Sequence, residues 1–330
     1  MKRPASQRAA LPSRPSPFGG ERGSVGAWGE ARLIESLRRC LGSASLPSPR
    51  GIGDDCAVLT GPAPTLVTVD PLVFGRHFDA TLSPSDAGAK LLKRNLSDIA
   101  AMGGRPSSAV VALVLSPDVR VSWLERFYRG LGAAARRYHV KIVGGDIAQA
   151  SLAGPNARIA GFFSASLTLL GTAPSGCVVT RDGARIGDRL YVTGELGRSF
   201  QTGHHFRFEP RLREGEWLAR RPEVRALMDV SDGIGKDVRA LVPPRALPAL
   251  WEERLPRRAP ATTIQALSDG EDYELLFAVS AAAETDRFEK AFRAAFPRVR
   301  LSQIGEMVAK GKMPKGALPE QALQGYEHFR

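Results

Sequence analysis

The chain contains 330 residues, a length that suits two domains or one large domain. Its composition of 43% hydrophobic and 24% charged residues is typical of a globular protein, and its longest apolar run, residues 109–115, is too short to cross a membrane. The three cysteines lack the number and spacing of a disulfide framework or a zinc site, so we expect a reducing, cytoplasmic location.

The net charge of +12 poses the question of nucleic-acid binding. Residues 1–24 carry five basic residues and one acidic residue, and the remaining excess is scattered as single arginines. The sequence has neither a zinc-finger spacing nor an RNA-binding motif with interleaved aromatic residues, so we do not expect nucleic acid as the main partner. The Pro, Ser, Gly and Arg content of residues 1–24 predicts a disordered basic tail.

Strands and long helices alternate along residues 25–170. The predicted helices cover residues 28–41, 84–102 and 121–138. The predicted strands cover residues 65–70, 108–115, 140–143 and 157–170. Gly144 and Gly145 are expected to stop the third of these strands. The alternation predicts an α/β or α+β domain over residues 25–170.

The second half repeats this alternation after a boundary near residues 171–176. The predicted strands are residues 189–193, 226–230, 273–279 and 299–304, and the predicted helices are residues 233–241 and 281–296. Residues 243–260 are rich in Pro and Arg and predict a surface insertion. We therefore expect a second α/β domain over residues 171–330.

Acidic residues recur where an apolar element or a glycine turn ends, rather than on solvated helix faces. They are Asp54, Asp55, Asp70, Asp98, Asp146, Asp229, Asp232, Glu271 and Asp272. Each one alone is explained as a turn or cap residue. Together they predict a cation site, because a buried unpaired carboxylate costs several kcal/mol and Mg²⁺ prefers oxygen ligands. Hydroxyls stand beside the acids at Thr68, Ser97 and Ser231.

Glycines adjoin the acidic residues at several of these positions, and glycine amides can hold phosphate oxygens. Carboxylates together with glycine-rich turns indicate a metal–nucleotide site. The sequence lacks the G-x-x-x-x-G-K-[ST] phosphate loop and the protein-kinase motifs, so such a site must belong to another architecture.

Seven segments of the chain carry a family resemblance. They are GIGDDCAVL (51–59), VDPLVFGRHF (69–78), NLSDIAAMG (95–103), IVGGD (142–146), TRDGARIGD (180–188), MDVSDGI (228–234) and DGEDYEL (269–275). In this order they resemble the thiamine-monophosphate kinase family, in the superfamily of aminoimidazole ribonucleotide synthetase and selenophosphate synthetase. The likeness extends over about residues 26–329, and GEDYEL favours the thiamine enzyme over its relatives.

The resemblance implies a two-domain aminoimidazole ribonucleotide synthetase-like fold, in which N-terminal sheet domains pair into a homodimer and a C-terminal α/β domain follows. It also implies ATP-dependent phosphorylation of thiamine monophosphate to thiamine diphosphate with several Mg²⁺ ions. By matching position, the implied metal ligands are Asp55, Thr68, Asp70, Asp98, Asp146, Asp229 and Asp232. The implied ATP contacts are Gly145, Asp146, Arg181 and Ser231, and the implied substrate contacts are His77 and Glu271.

This chemistry needs no protein nucleophile. The phosphate oxygen of the substrate attacks the γ-phosphoryl group directly and is already largely ionised at neutral pH, so a general base is dispensable. Positioning and positive charge supply most of the catalysis. From the residues alone, His77 is an ordinary hydrogen-bonding histidine and Arg181 an ordinary surface arginine; only the resemblance assigns them to ligands.

The chain departs from the family pattern around the substrate. The altered positions are Val69, Ile147, Arg198 and Leu323. An alternative function is therefore an ATP-dependent kinase or synthetase of the same fold that acts on another phosphorylated metabolite. An alternative of another class is a nucleotide-sensing or RNA-binding protein that uses its basic tail.

Overall fold

The computed structural model describes Glu35 and residues 54–59, 61, 64–150, 161–174, 176 and 178–326. Ser43–Tyr326 form one compact unit. Met1–Gly42 and Glu327–Arg330 group as a second unit, of which only Glu35, in a helix, is described. The predicted tail over 1–24 and, apart from Glu35, the predicted helix over 28–41 lie outside the described residues.

The first sheet has five strands and two helices between them. In chain order its elements are β1 (Ala57–Leu59), β2 (Thr65–Val73), α1 (Pro84–Ala101), β3 (Arg105–Leu115), α2 (Val121–Arg137), β4 (Lys141–Gln149) and β5 (Phe163–Thr172). The strand order is β1-β2-β5-β3-β4, with β3 and β4 parallel and the other neighbours antiparallel. Leu66 and Leu72 on β2 are buried and Val69 is exposed, the alternation of a sheet with one covered face.

Helices α1 and α2 cover that face and pack closely on one another. Ser83 caps α1 by accepting a hydrogen bond from the backbone N–H of Asp86, and Pro84 begins the helix. A Cβ at Gly88 of α1 would lie 2.0 Å from the carbonyl oxygen of Phe127 on α2. Glycine is required there because the two backbones approach too closely for any side chain.

The second sheet is antiparallel throughout, with strand order β7-β9-β6-β10-β8. Its strands are β6 (Arg189–Thr193), β7 (Val224–Asp229), β8 (Ala246–Leu250), β9 (Leu275–Val279) and β10 (Leu301–Ala309). The helices among them are α3 (His204–Arg207), α4 (Leu212–Ala219), α5 (Ile234–Asp237), α6 (Thr263–Ser268) and α7 (Thr285–Ala295). The mixed α/β fold expected from the sequence is confirmed, and the domain boundary at residues 170 and 171 stays a prediction.

Two expectations about elements are wrong. Strand β4 does not stop at Gly144 and Gly145 but runs through them to Gln149. A Cβ at Gly145 would lie 2.1 Å from the carbonyl oxygen of Val111, so glycine permits a close strand pairing there. Residues 243–260 are not a surface insertion, because β8 pairs with β10 and Arg258 bonds the side chain of buried Asp272. In the described part of the chain, no helix has the length and apolar character of a membrane span.

Candidate active site

Three carboxylates from three parts of the fold meet at one place. Oxygen atoms of Asp55, Asp98 and Asp229 lie within 4.8 Å of one another. Asp55 precedes β1, Asp98 lies in α1, and Asp229 ends β7. The aspartates that the sequence places at the ends of apolar elements therefore converge in these three cases.

Two hydroxyls bind this aspartate cluster (Asp55, Asp98 and Asp229). Oγ1 of Thr68 donates to Oδ2 of Asp98 at 2.5 Å, and Oγ of Ser97 donates to Oδ2 of Asp229 at 2.7 Å. Since Ser97 and Asp98 are neighbours on α1, this helix contributes to the cluster directly and also binds the carboxylate from the second sheet.

Burial and mutual repulsion make the aspartate cluster unfavourable for negative charge. Burial, followed by the charges of neighbouring aspartates, raises the pKa of Asp98 and of Asp229 well above the usual range. Burial and the charge of Asp55 raise the pKa of Asp54 to about 7. Oxygen donors crowded in this way match the ligand preference of Mg²⁺, whose positive charge would stabilise the ionised carboxylates. Asp55, Asp98 and Asp229 are the residues that fit such an ion.

Arg181 pairs with the aspartate cluster from one side. Its guanidinium donates to Asp55 from Nε at 3.0 Å and from Nη2 at 2.5 Å, and its backbone N–H donates to Asp54 at 3.1 Å. Burial lowers the pKa of Arg181 and the aspartates raise it by more, so the side chain stays positively charged. The residue that the family resemblance assigns to ATP thus lies beside the predicted metal ligands.

Asp70 is held next to the same region by residues that the sequence analysis missed. Its backbone N–H donates to Oδ1 of Asn95 at 3.1 Å, and its carboxylate lies 3.5 Å from Nε of Arg94. Nη1 of Arg94 donates to the carbonyl of Pro71 at 2.6 Å. The available signal was helical spacing, because Arg94 precedes Asp98 by four residues and both lie on one face of α1.

The loop after β7 holds Ser231 and Asp232 by their backbones. Both backbone N–H groups donate to Oδ2 of Asp237, at 2.9 and 3.0 Å. The carboxylate of Asp232 accepts from Nζ of Lys236 at 2.7 Å. Asp232 is not among the three clustered carboxylates, so its assignment as a metal ligand stays a prediction.

The two predicted substrate contacts, His77 and Glu271, are joined by Lys90. Nζ of Lys90 donates to the carbonyl of His77 at 2.6 Å and to Oε2 of Glu271 at 2.5 Å, and lies 2.8 Å from Nδ1 of His205. Burial raises the pKa of Glu271, but the hydrogen bond from His205 and the charges of Lys90 and Arg94 outweigh it and lower the pKa to about 2. Sequence reasoning missed both Lys90 and His205.

The remaining predicted ATP and metal residues, Gly145 and Asp146, lie elsewhere on the first sheet. They are on the edge strand β4, and β3 and β5 separate them from β2. Paired residues share a face of a sheet. Asp146 pairs through Ala112 with Ser166, whereas Asp70 pairs with Leu167, so the two aspartates face opposite sides. The described residues do not bring Asp146 into the aspartate cluster.

The four altered family positions differ in their surroundings. Val69 is 59% exposed and Ile147 is 65% exposed. Arg198 has a positive φ of 57°, and its backbone N–H donates to Asp269. Leu323 is only 1% exposed and belongs to the core of the second sheet, which corrects its placement on the substrate rim.

Comparison with known proteins gives consistent matches. Residues 53–172 match the family model described as AIR synthase related protein, N-terminal domain. Thiamine-monophosphate kinase of Escherichia coli K12 is 32% identical over 92% of this chain and 99% of that protein. The enzyme of the same name from Rhodopirellula baltica is 39% identical over 70% of this chain and 76% of that protein. A solved structure described as "AaThiL complexed with AMPPCP and TMP" is 27% identical, covers 94% of this chain and all of that one, and has a TM-score of 0.74.

Proposed function

The chain belongs to the thiamine-monophosphate kinase family, and on that premise we propose that it transfers the γ-phosphoryl group of ATP to thiamine monophosphate, forming thiamine diphosphate and ADP. The observation that carries the proposal is the meeting of Asp55, Asp98 and Asp229 with Arg181 beside them. A partly buried group of carboxylate ligands next to an arginine that makes two hydrogen bonds suits a reaction between two phosphorylated molecules.

The residues of the chain have separate tasks in this reaction. When bound to Asp55, Asp98 and Asp229, Mg²⁺ would supply positive charge that offsets the repulsion between the two phosphate groups. Arg181, which donates to Asp55 from Nε and Nη2, would donate its remaining N–H groups to phosphate oxygens. A phosphate oxygen of thiamine monophosphate bonds to the γ-phosphorus, the bond from that phosphorus to the bridging oxygen breaks, and ADP leaves. Because the attacking oxygen is already ionised, no side chain has to accept a proton.

The involvement of several Mg²⁺ ions is part of the proposal. The aspartate cluster supports one ion. Further oxygen ligands are available nearby, because Thr68 on the strand of Asp70 bonds Asp98, and Ser231 and Asp232 follow Asp229 in the chain. A cytoplasmic location is likewise proposed, because the scarcity of cysteine suits a reducing compartment.

We further propose that the chain is a homodimer formed on the open face of the first sheet. Val69 pairs with Thr168, and Thr168 pairs with Val110, so these side chains form a row on the face opposite α1 and α2. Val69 and Val110 are both exposed. Among the described residues nothing covers this face, and exposed apolar side chains on an open sheet face favour association with a second copy. Asp146 lies on this open face, so we infer that it serves the site of the other subunit.

Turnover with defined substrates tests the proposed function. Purified protein with ATP and Mg²⁺ should release ADP only when thiamine monophosphate is present, and thiamine diphosphate should accumulate in equal amount. Thiamine without its phosphate is the matched control, since it lacks the phosphate group whose oxygen attacks. ADP release with another phosphorylated metabolite, and none with thiamine monophosphate, would instead select the same-fold alternative.

A further inference from the structure

We propose that Lys90 is a positioning residue that fixes His77 and Glu271 relative to each other and so sets the affinity for the phosphate acceptor. This inference rests on the proposed function, because His77 and Glu271 are substrate contacts only in that reaction. It adds a residue to which neither the sequence motifs nor the family resemblance assigns a role.

The contacts of Lys90 connect the two substrate residues directly. Its side chain is 0% exposed, and its Nζ reaches the carbonyl of His77, the carboxylate of Glu271 and Nδ1 of His205 within 2.8 Å. A lysine ammonium has three N–H donors, of which the carbonyl of His77 and the carboxylate of Glu271 accept two, and Nδ1 of His205 lies beside the same ammonium. One atom on α1 therefore links the turn after β2 to the loop before β9.

The backbone of Glu271 is also held in place, so the contact with Lys90 fixes the position of the carboxylate. Glu271 has a φ of 53°, in the left-handed region that non-glycine residues rarely adopt, and its backbone N–H donates to the carbonyl of Ser231 at 2.7 Å. Such a conformation persists only where the surroundings hold it. With the backbone held by Ser231 and the carboxylate by Lys90, the side chain of Glu271 is fixed at both ends. Loss of Lys90 frees one end and removes the ammonium that is bonded to a carboxylate only 13% exposed.

Lys93 provides a matched comparison one turn further along α1. It is also buried, and its Nζ donates to the carbonyls of Phe206 at 2.5 Å and Phe208 at 2.7 Å. Lys90 and Lys93 thus both connect α1 to the segment around α3, Lys90 through His205. The partners of Lys93 are two backbone carbonyls and not His77 or Glu271, so we expect its removal to change the packing of α1 and to leave the substrate contacts in place.

The test compares Lys90→Met with Lys93→Met in steady-state kinetics of the full chain with ATP, Mg²⁺ and thiamine monophosphate. We expect Lys90→Met to raise KM for thiamine monophosphate at least tenfold and to leave KM for ATP within twofold of the wild type. Lys93→Met should leave both KM values within twofold. Thermal unfolding of each variant reports the structural loss that the two substitutions share.

Each outcome decides the inference. Equal KM shifts in the two variants, or an unchanged KM for thiamine monophosphate in Lys90→Met, would show that Lys90 only stabilises the fold. If Lys90→Met does not fold, Lys90→Arg replaces it. A planar guanidinium cannot reproduce the contacts of Nζ with His77, Glu271 and His205, so its KM for thiamine monophosphate should rise at least threefold. If the wild type turns over thiamine monophosphate and the two lysine variants have the same KM values, this inference is overturned and the proposed function stands. Wild-type protein without that turnover overturns the proposed function and this inference with it.

Discussion

At the scale of single residues, the site depends on carboxylates that repel one another. Asp229 is buried and Asp98 is partly exposed, and the pKa of each is raised because desolvation and neighbouring negative charges disfavour ionisation. The hydroxyls of Thr68 and Ser97 offset part of this cost by hydrogen bonding. The three carboxylates make the fold less stable than apolar residues of similar size would, because apolar residues would pack there without charge repulsion.

Substitution of the clustered aspartates should separate activity from stability. We expect Asp98→Asn to lower kcat/KM at least tenfold at saturating Mg²⁺, because the site loses a metal charge. Without Mg²⁺, its melting temperature should equal or exceed that of the wild type, because one of three crowded carboxylates that disfavour each other's ionisation is removed. Enzyme kinetics and calorimetry measure the two effects. Asp118→Asn, at an exposed turn, is the control. Wild-type activity in Asp98→Asn would contradict the metal assignment.

Asp232 provides a separate test of the metal ligands, since it lies outside the three clustered carboxylates. We expect Asp232→Asn to lower turnover at least tenfold and to raise the Mg²⁺ concentration for half-maximal activity. A titration of activity against Mg²⁺ measures both. If turnover falls while the Mg²⁺ requirement stays unchanged, the carboxylate acts through Lys236, to which it is bonded, rather than on the metal.

At the scale of elements, α1 organises the site because it is buried on most of its surface and still carries charge. Its Lys90, Lys93 and Arg94 are all buried, and Asp98 follows on the same helix. Each cation has partners that lie outside the helix: the predicted substrate contacts for Lys90, backbone carbonyls for Lys93, and the carbonyl of Pro71 on β2 for Arg94. A helix with charged residues at spacings of three and four would ordinarily have a solvated face. Here that face binds parts of both sheets.

The buried position of Lys93 predicts a pH dependence of stability. Burial lowers its pKa from 10.5 to about 8, so between these values the unfolded chain binds a proton that the folded protein does not. Stability therefore rises with pH across this window and is lost as the pH falls through it. Between pH 8 and 10.5, the free energy of unfolding of the wild type should rise by up to about 3 kcal/mol more than that of Lys93→Met. Urea denaturation of both proteins at the two pH limits measures the difference, and a constant difference would contradict the expectation.

At the scale of the whole molecule, the residues that the structure describes leave one face and one edge of the first sheet uncovered. The strand β4 is exposed along most of its length, and Val69 and Ile147 are more than half exposed. The same edge carries Gly145 and Asp146, which the family resemblance assigns to ATP and metal. Under the proposed homodimer, we therefore expect Asp146 of one copy to act together with Asp98 of the other.

Purified heterodimers with two different tags test this shared site. In a dimer of Asp98→Asn with Asp146→Asn, one of the two sites keeps both aspartates if the site is shared, so about half of wild-type activity is expected. In a dimer of one wild-type subunit with one subunit that carries both Asp98→Asn and Asp146→Asn, a shared arrangement leaves no intact site and activity is lost. The opposite pattern, an active second dimer and an inactive first one, would show that each subunit uses its own Asp146.

Local sequence patterns determined most elements of this protein. The apolar periods over residues 84–102 and 121–138 predicted α1 and α2 to within one residue at each end, because capping, helix period and glycine stops are local signals. Aspartates at the ends of apolar elements predicted a cation site, and Asp55, Asp98 and Asp229 do meet. The family motifs predicted the reaction, because the resemblance that implies it rests on these seven segments.

Only the tertiary structure decided which residues act together. The sequence gives no sign that Lys90 touches Glu271, which lies 181 positions further along the chain, because such a contact depends on how α1 packs on the second sheet. The burial of Leu323 and the pairing of β8 were also inaccessible, since a Pro- and Arg-rich stretch resembles an exposed loop until a neighbouring strand binds it. The face occupied by Asp146 follows from strand register, and register is set by pairing between distant segments.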